Sequence, residues 1–157
     1  MAGGLKVRPE RVAEFRAAFC EHAAQHLAAD DLIERLQIDA EVPLGDVTTR
    51  LVRDIENLAP FGAGNRRPLL MAARVELAAP AKRIGGGERH LAFRIRQSGA
   101  SARAVAFGMG ERSDELQPGK QYDVAFSPQI NTYQGFSSVD LHVKDFRPCR
   151  AESTHHV

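Results

Sequence analysis

Near the start of the chain, Val12, Phe15, Phe19, Ala23 and Leu27 recur at spacings of three and four, which gathers them on one side of a helix. Glu10, Glu14, Arg16 and Glu21 fall mostly on the other side, and Pro9 suits a first helical position. A helix is predicted over 9–27. The period then shortens to two: Leu36, Ile38, Ala40 and Val42 alternate with Gln37, Asp39 and Glu41, the pattern of a strand with one buried face. Pro43, Gly45 and Asp46 end it. A second helix is predicted from about Val47 to Leu58, with Leu51, Ile55 and Leu58 on its inner face and Asp46 as N-cap.

From Leu69 onward strand-like runs alternate with turn signals. Strands are predicted near 69–77, 89–97, 102–109, 120–127 and 137–146, separated by Gly85-Gly86-Gly87, Ser98-Gly99, Pro118-Gly119 and the 128–136 stretch. Leu91, Phe93 and Ile95 share one face of the second of these, with His90, Arg94 and Arg96 on the other. Tyr122, Val124 and Phe126 share a face of the fourth, and Val139, Leu141 and Val143 a face of the fifth. The third is ambiguous: Val105, Phe107 and Met109 oppose Ala102, Ala104 and Ala106, either set can line a core, and the direction of Arg103 stays open. Five short strands close most simply into a small barrel, because closure removes exposed sheet edges; the OB-fold is the common five-stranded form. Its ligand face is formed by strands two and three, flanked by the loops joining strands one to two and four to five.

Charge sharpens this picture. The net charge is +1, but residues 1–65 carry a net −4 and residues 66–157 a net +5, so a polyanion is expected on the second part. Single-stranded nucleic acid is held by cations along its phosphates and flat side chains on its bases. Lys82 and Arg83, before the glycine-rich turn, and Arg94 and Arg96, on the second strand, are the candidate cations. Tyr133, with Phe136 beside it, is the candidate stacking residue in the 128–136 loop. Asn131 either reaches a base edge or phosphate or holds its own turn. Each of these residues taken singly also fits a solvated strand face or a packed hairpin tip.

Catalytic chemistry is poorly supplied. No Ser/His/Asp arrangement stands at a recognisable spacing, and the adjacent carboxylates Asp30 and Asp31 sit between a helix and a strand. His22 and His26 are four apart on a helix without a third ligand nearby, and no P-loop pattern is present, although Gly85-Gly86-Gly87 can bring backbone amides close to a phosphate. A metal nuclease needs clustered Asp and His, and no such cluster is legible. Cys20 and Cys149 are far apart and outside any ligand pattern, which fits a reducing cytoplasm. No apolar run approaches the ~20 residues of a membrane span, and neither a repeat nor a signal core is seen.

One segment resembles a known family. Leu58-Ala59-Pro60-Phe61-Gly62-Ala63-Gly64-Asn65-Arg66-Arg67-Pro68 is similar to the L-x-PFGxGNxxP segment of RecJ, the single-strand-specific 5′-to-3′ DNA exonuclease. In the same order, Ile38–Leu44, Gly85–Leu91, Ala104–Gly108, Asn131–Gly135 and Leu141–Asp145 resemble strand and loop segments of the RecJ OB domain. Met1-Ala2-Gly3-Gly4-Leu5 resembles the end of the GGH-x-MAAG motif of RecJ's DHH-associated domain, without its GGH. The resemblance covers about residues 1–148.

It implies a mainly β chain: a five-stranded OB-fold barrel with an N-terminal strand and helix over 34–148, a small α/β remnant of the DHH-associated domain over 1–33, and a flexible tail over 149–157. It implies single-stranded DNA as partner, with single-strand-binding protein docking, or RNA binding, as the alternatives, and no membrane. The family's Mn or Mg ions belong to its DHH domain, so the chain by itself is expected to hold no cofactor and no nuclease activity. Met1 is then an internal methionine of a longer parent or the start of a split or decayed gene. Pro60 and the glycines of the PFGAGN element read as an architectural latch, with Arg66 and Arg67 as exposed candidates for phosphate contact.

Overall fold

In the computed structural model, which describes residues 4–33, 35–133 and 135–149, the chain divides into two compact units, 1–36 and 37–157. In the first unit a 3-10 turn at Pro9–Arg11 leads into α1 (Val12–His26). Its Phe15 and Phe19 rings lie 5.8 Å apart and His22 stacks on His26 at 3.9 Å. No residue of α1 is buried.

The second unit is built from β1 (Ala40–Glu41), α2 (Thr49–Glu56), β2 (Leu70–Ile84), β3 (His90–Gln97), β4 (Ala100–Ala106), β5 (Gln121–Tyr133) and β6 (Phe136–Pro148). The strand expected over 36–42 is reduced to two residues, which pair parallel with Leu70 and Met71. The other five strands run in the order β2-β3-β4-β6-β5, and β5 returns to β2. The result is a closed five-stranded barrel of the OB type, antiparallel except for β4 beside β6.

Closure depends on the first long strand. Leu70–Glu76 of β2 pairs with β5, while Glu76–Ile84 pairs with β3. Register shifts at Ala72/Val75, Leu77/Ala79 and Ala79/Lys82 bend the strand between its two neighbours, as bulges do at barrel corners. Alternation then fills the interior with Leu70, Ala72, Val75, Leu77, Leu91, Phe93, Ile95, Ala104, Ala106, Tyr122, Val124, Phe126, Leu141, Val143 and Phe146. Tyr122 keeps its hydroxyl satisfied inside this core by donating to Glu115 O at 2.8 Å and accepting from Gln117 N at 2.7 Å.

Several boundaries depart from the period-based expectation. The N-cap of α2 is Thr48, whose Oγ1 accepts from Leu51 N at 3.3 Å, because Asp46 is taken up in a 3-10 turn. The helix therefore starts at Thr49; it ends at Glu56, buries Val52 and Ile55, and leaves Leu58 exposed. Ser98 and Gly99 both have positive φ, the two-residue hairpin geometry that matches strand twist. That turn starts β4 at Ala100. Residues 128–133 are not a loop: β5 runs to Tyr133 and pairs with β6 through Ile130↔Val139, Asn131↔Ser138 and Thr132↔Ser137. Their polar composition reads as loop, but cross-strand partners sustain the ladder, including a 3.1 Å contact between Thr132 and Ser137 hydroxyls. Lys82 and Arg83 likewise lie within β2 rather than in the turn after it. Among the described residues no helix is long and apolar enough to cross a membrane.

Candidate nucleic-acid interface

Register decides what shares the outer face of β3, β4 and β6. On β3 the buried Leu91, Phe93 and Ile95 face inward, which turns His90, Ala92, Arg94 and Arg96 outward. On β4 the pairs Phe93↔Ala104 and Arg94↔Arg103 put the alanines inside and Arg103 outside, which settles the face that the sequence left open. Rows then run across the barrel: Ala79, Arg94, Arg103, Asp140 and Gln129 in one, and Lys82, Ala92, Val105, His142 and Ser127 in the next.

Arg94 and Arg103 are directly opposite, an arrangement of like charges that destabilises a ladder unless it is compensated. Asp140 supplies the compensation. It is 5% exposed, and its Oδ2 accepts from both Arg103 and Asn131, the latter at 3.0 Å. Asn131 is thus committed to holding β5 against β6 and Arg103. Arg94 keeps only a 3.5 Å contact to Ser101. Lys82 is exposed and has no partner among the described residues. Arg96 pairs with Glu76 of β2 at 3.0 Å, and Arg83 donates twice to Ser113 Oγ, at 2.9 and 2.7 Å. Lys82, Arg94, Arg96 and Arg103 therefore share one surface, two of them with an acidic partner. Exposed ion pairs such as Arg96–Glu76 are worth little, so a phosphate can compete for the guanidinium.

Tyr133 ends β5, opposite Phe136; its side chain lies outside the described residues. The two arginines after the PFGAGN element are engaged locally. Arg66 pairs with Asp39 at 2.8 Å, and Arg67 grips Glu56 with two bonds of 2.7 and 3.1 Å while its guanidinium lies 4.5 Å from the Phe61 ring centre. Asn65 Nδ2 donates to the carbonyls of Leu58 and Pro60, both at 2.9 Å, and its backbone bridges to Gly62. Gly64, at φ 81°, supplies the left-handed turn. The segment thus spends its polar groups on its own turn and on Asp39 and Glu56. The Leu69 N–H and the Arg66 guanidinium both bind the Asp39 carboxylate, and together they hold its pKa below the ordinary value, the backbone bond contributing most.

A group that sequence reasoning did not count among the site residues lies past the end of β4. Phe107, just beyond β4, is 54% exposed. Its ring meets His90 at 5.3 Å and His142 at 5.2 Å, both edge to face. His90 Nδ1 accepts from Gly108 N at 2.9 Å. Burial lowers the pKa of His142, opposed by Asp140 and reinforced by Lys144, Arg103 and Arg67, so the imidazole is neutral at pH 7. The outward parity of Phe107 was one of the two options in the sequence; only the β3–β4 register selects it.

Among the described residues no group of three or more His, Cys, Asp or Glu is placed to hold a metal ion.

Comparison with known proteins agrees with this architecture. The family model described as RecJ OB domain matches residues 38–145. The single-stranded-DNA-specific exonuclease RecJ of Bacillus subtilis (strain 168) is 26% identical over 145 residues, covering 92% of this chain and 18% of that protein. The Haemophilus influenzae RecJ is 27% identical over 150 residues, 94% of this chain and 26% of its own length. The crystal structure of Thermus thermophilus RecJ in complex with Mn2+ superposes with a TM-score of 0.71 at 26% identity, over 94% of this chain and 21% of that one. The chain thus spans about a quarter or less of the relatives it matches.

Proposed function

The chain belongs to the RecJ OB domain family, and on that footing we propose that it holds single-stranded DNA for a RecJ-like 5′-to-3′ exonuclease of repair and recombination. In this reading residues 1–33 are the end of a DHH-associated domain, the catalytic metal ions act elsewhere in the parent protein, and the compartment is the cytoplasm. The observation that carries it is the outer surface of β2, β3 and β4, where Lys82, Arg94, Arg96 and Arg103 share one face. That face is the strand 2–3 surface on which OB barrels take oligonucleotides.

Lys82 and Arg94 bind phosphate directly, Arg96 by exchanging Glu76 for phosphate, and Arg83 at the barrel's end. Tyr133 is the stacking residue contributed by the β5–β6 hairpin. Asn131, Arg66 and Arg67 support the site through the contacts they already make.

Fluorescence anisotropy with a labelled single strand and a blunt duplex at low and high salt tests the proposal. Binding is expected to favour the single strand and to fall steeply with salt through counterion release. Lys82→Ala and Arg94→Ala are each expected to weaken it and to reduce the salt slope by roughly 0.7. Tyr133→Ala is expected to weaken it without changing the slope. Equal affinity for duplex, or salt-insensitive capture of single-strand-binding protein with no DNA binding, defeats the proposal.

A further inference from the structure

We infer that Phe107, braced by His90 and His142, is the stacking platform for one unpaired nucleobase on the outer face of the barrel. The inference deepens the single-strand reading above and rests on it. An isolated exposed phenylalanine means nothing by itself, and the argument lies in what surrounds this one. Two half-buried imidazoles contact its ring at 5.3 and 5.2 Å from neighbouring strands. Hydrogen bonding of His90 to Gly108 N fixes one of them. The three rings form a continuous aromatic line from β3 through the end of β4 to β6 that is held in place before any ligand arrives, which lowers the ordering cost of stacking.

The charges beside the line suit one class of occupant. Lys82 and Arg94 lie on one side, Lys144 is exposed two residues beyond His142, and the single acid in the adjacent row, Asp140, is already neutralised by Arg103 and Asn131. A base on Phe107 leaves its flanking phosphates among these cations, the combination by which single strands are held. A protein partner is a poorer match, because a stable interface needs about 800 Å² per side with an apolar centre, whereas one ring here is bordered by cations.

The chain contains no tryptophan, so Phe107→Trp places a single indole at the site. The parent chain, Phe107→Ala and Phe107→Trp are titrated at low salt with an oligothymidylate and with an abasic oligomer of the same length. Phe107→Ala is expected to lose roughly 5- to 100-fold in affinity for oligothymidylate and to bind the abasic strand like the parent. The indole emission of Phe107→Trp is expected to be quenched by oligothymidylate and not by the abasic strand. If Phe107→Ala binds oligothymidylate like the parent, loses both ligands equally, or if the indole emission is unchanged at saturation, the platform assignment is wrong. Should Phe107→Ala not fold, the quenching arm decides alone. A parent chain that binds neither oligomer overturns the single-strand reading as well, and so separates the two failures.

Discussion

Replacing Asp140 with Asn should weaken the barrel and strengthen its grip on DNA at the same time. Asp140 is 5% exposed and lies in the row of Arg94 and Arg103. Its Oδ2 takes one bond from the charged Arg103 and one from Asn131. A hydrogen bond to a charged group contributes about 1.5–3 kcal/mol. Arg103 is nearly half exposed and can be resolvated, so the solvent-screened loss is smaller, and asparagine keeps the shape and one carbonyl acceptor. The net cost is about 1–2 kcal/mol, read as a lower urea midpoint at constant m-value or a Tm drop of about 2–8 °C for a domain of this size.

On the binding side the substitution removes a negative charge from the row shared with Arg94 and frees Arg103. One added phosphate contact steepens the salt slope for a single strand by about 0.7, with tighter binding at low salt. The cycle with Arg103→Met isolates the pair, because Asp140→Asn in the Arg103→Met background should show little further gain. Unchanged stability, or weaker DNA binding with the fold intact, would refute the reasoning that Asp140 serves the barrel at the expense of the ligand.

Three further outcomes follow from the packing. Phe126→Ala removes a fully buried ring at the centre of β5 and should cost about 3–5 kcal/mol by denaturant titration. Gly110→Ala places a Cβ 2.0 Å from the Glu88 carbonyl oxygen. The chain there cannot simply turn a side chain aside, so this variant should melt well below the parent, whereas Gly99→Ser, with open space around it, should cost only the strain of its positive φ. Asp39 has a lowered pKa in the folded state, so its contribution is present above the unfolded carboxylate value of about 3.9 and is lost as pH falls through the lowered folded value. The acid-side fall in Tm should therefore be shallower in Asp39→Asn than in the parent chain.

Sequence alone determined the elements and much of their burial. Period two over Leu91–Ile95, Tyr122–Phe126 and Val139–Val143 put the same residues inside that the barrel encloses, because a one-residue slip would expose an entire apolar set. The count of strands led to a closed five-stranded barrel, and the ordered motifs from Pro60 to Asp145 to the RecJ OB domain. Local pattern did not reach the end of β5, where Gln129, Asn131 and Thr132 become strand only through partners on β6. Nor could it orient Arg103, since both faces of Ala100–Ala106 are compatible with a core.

Tertiary structure decided which charged and polar groups are spoken for. Arg66, Arg67 and Asn131 look free in sequence, yet they find Asp39, Glu56 and Asp140 at separations of 27, 11 and 9 residues. It also brought Phe107, just past the end of β4, against His90 of β3 and His142 of β6. A strand's own alternation tells which residues share a side, but only the register between strands, set by bulges and turn geometry, tells which side chains of different strands become neighbours.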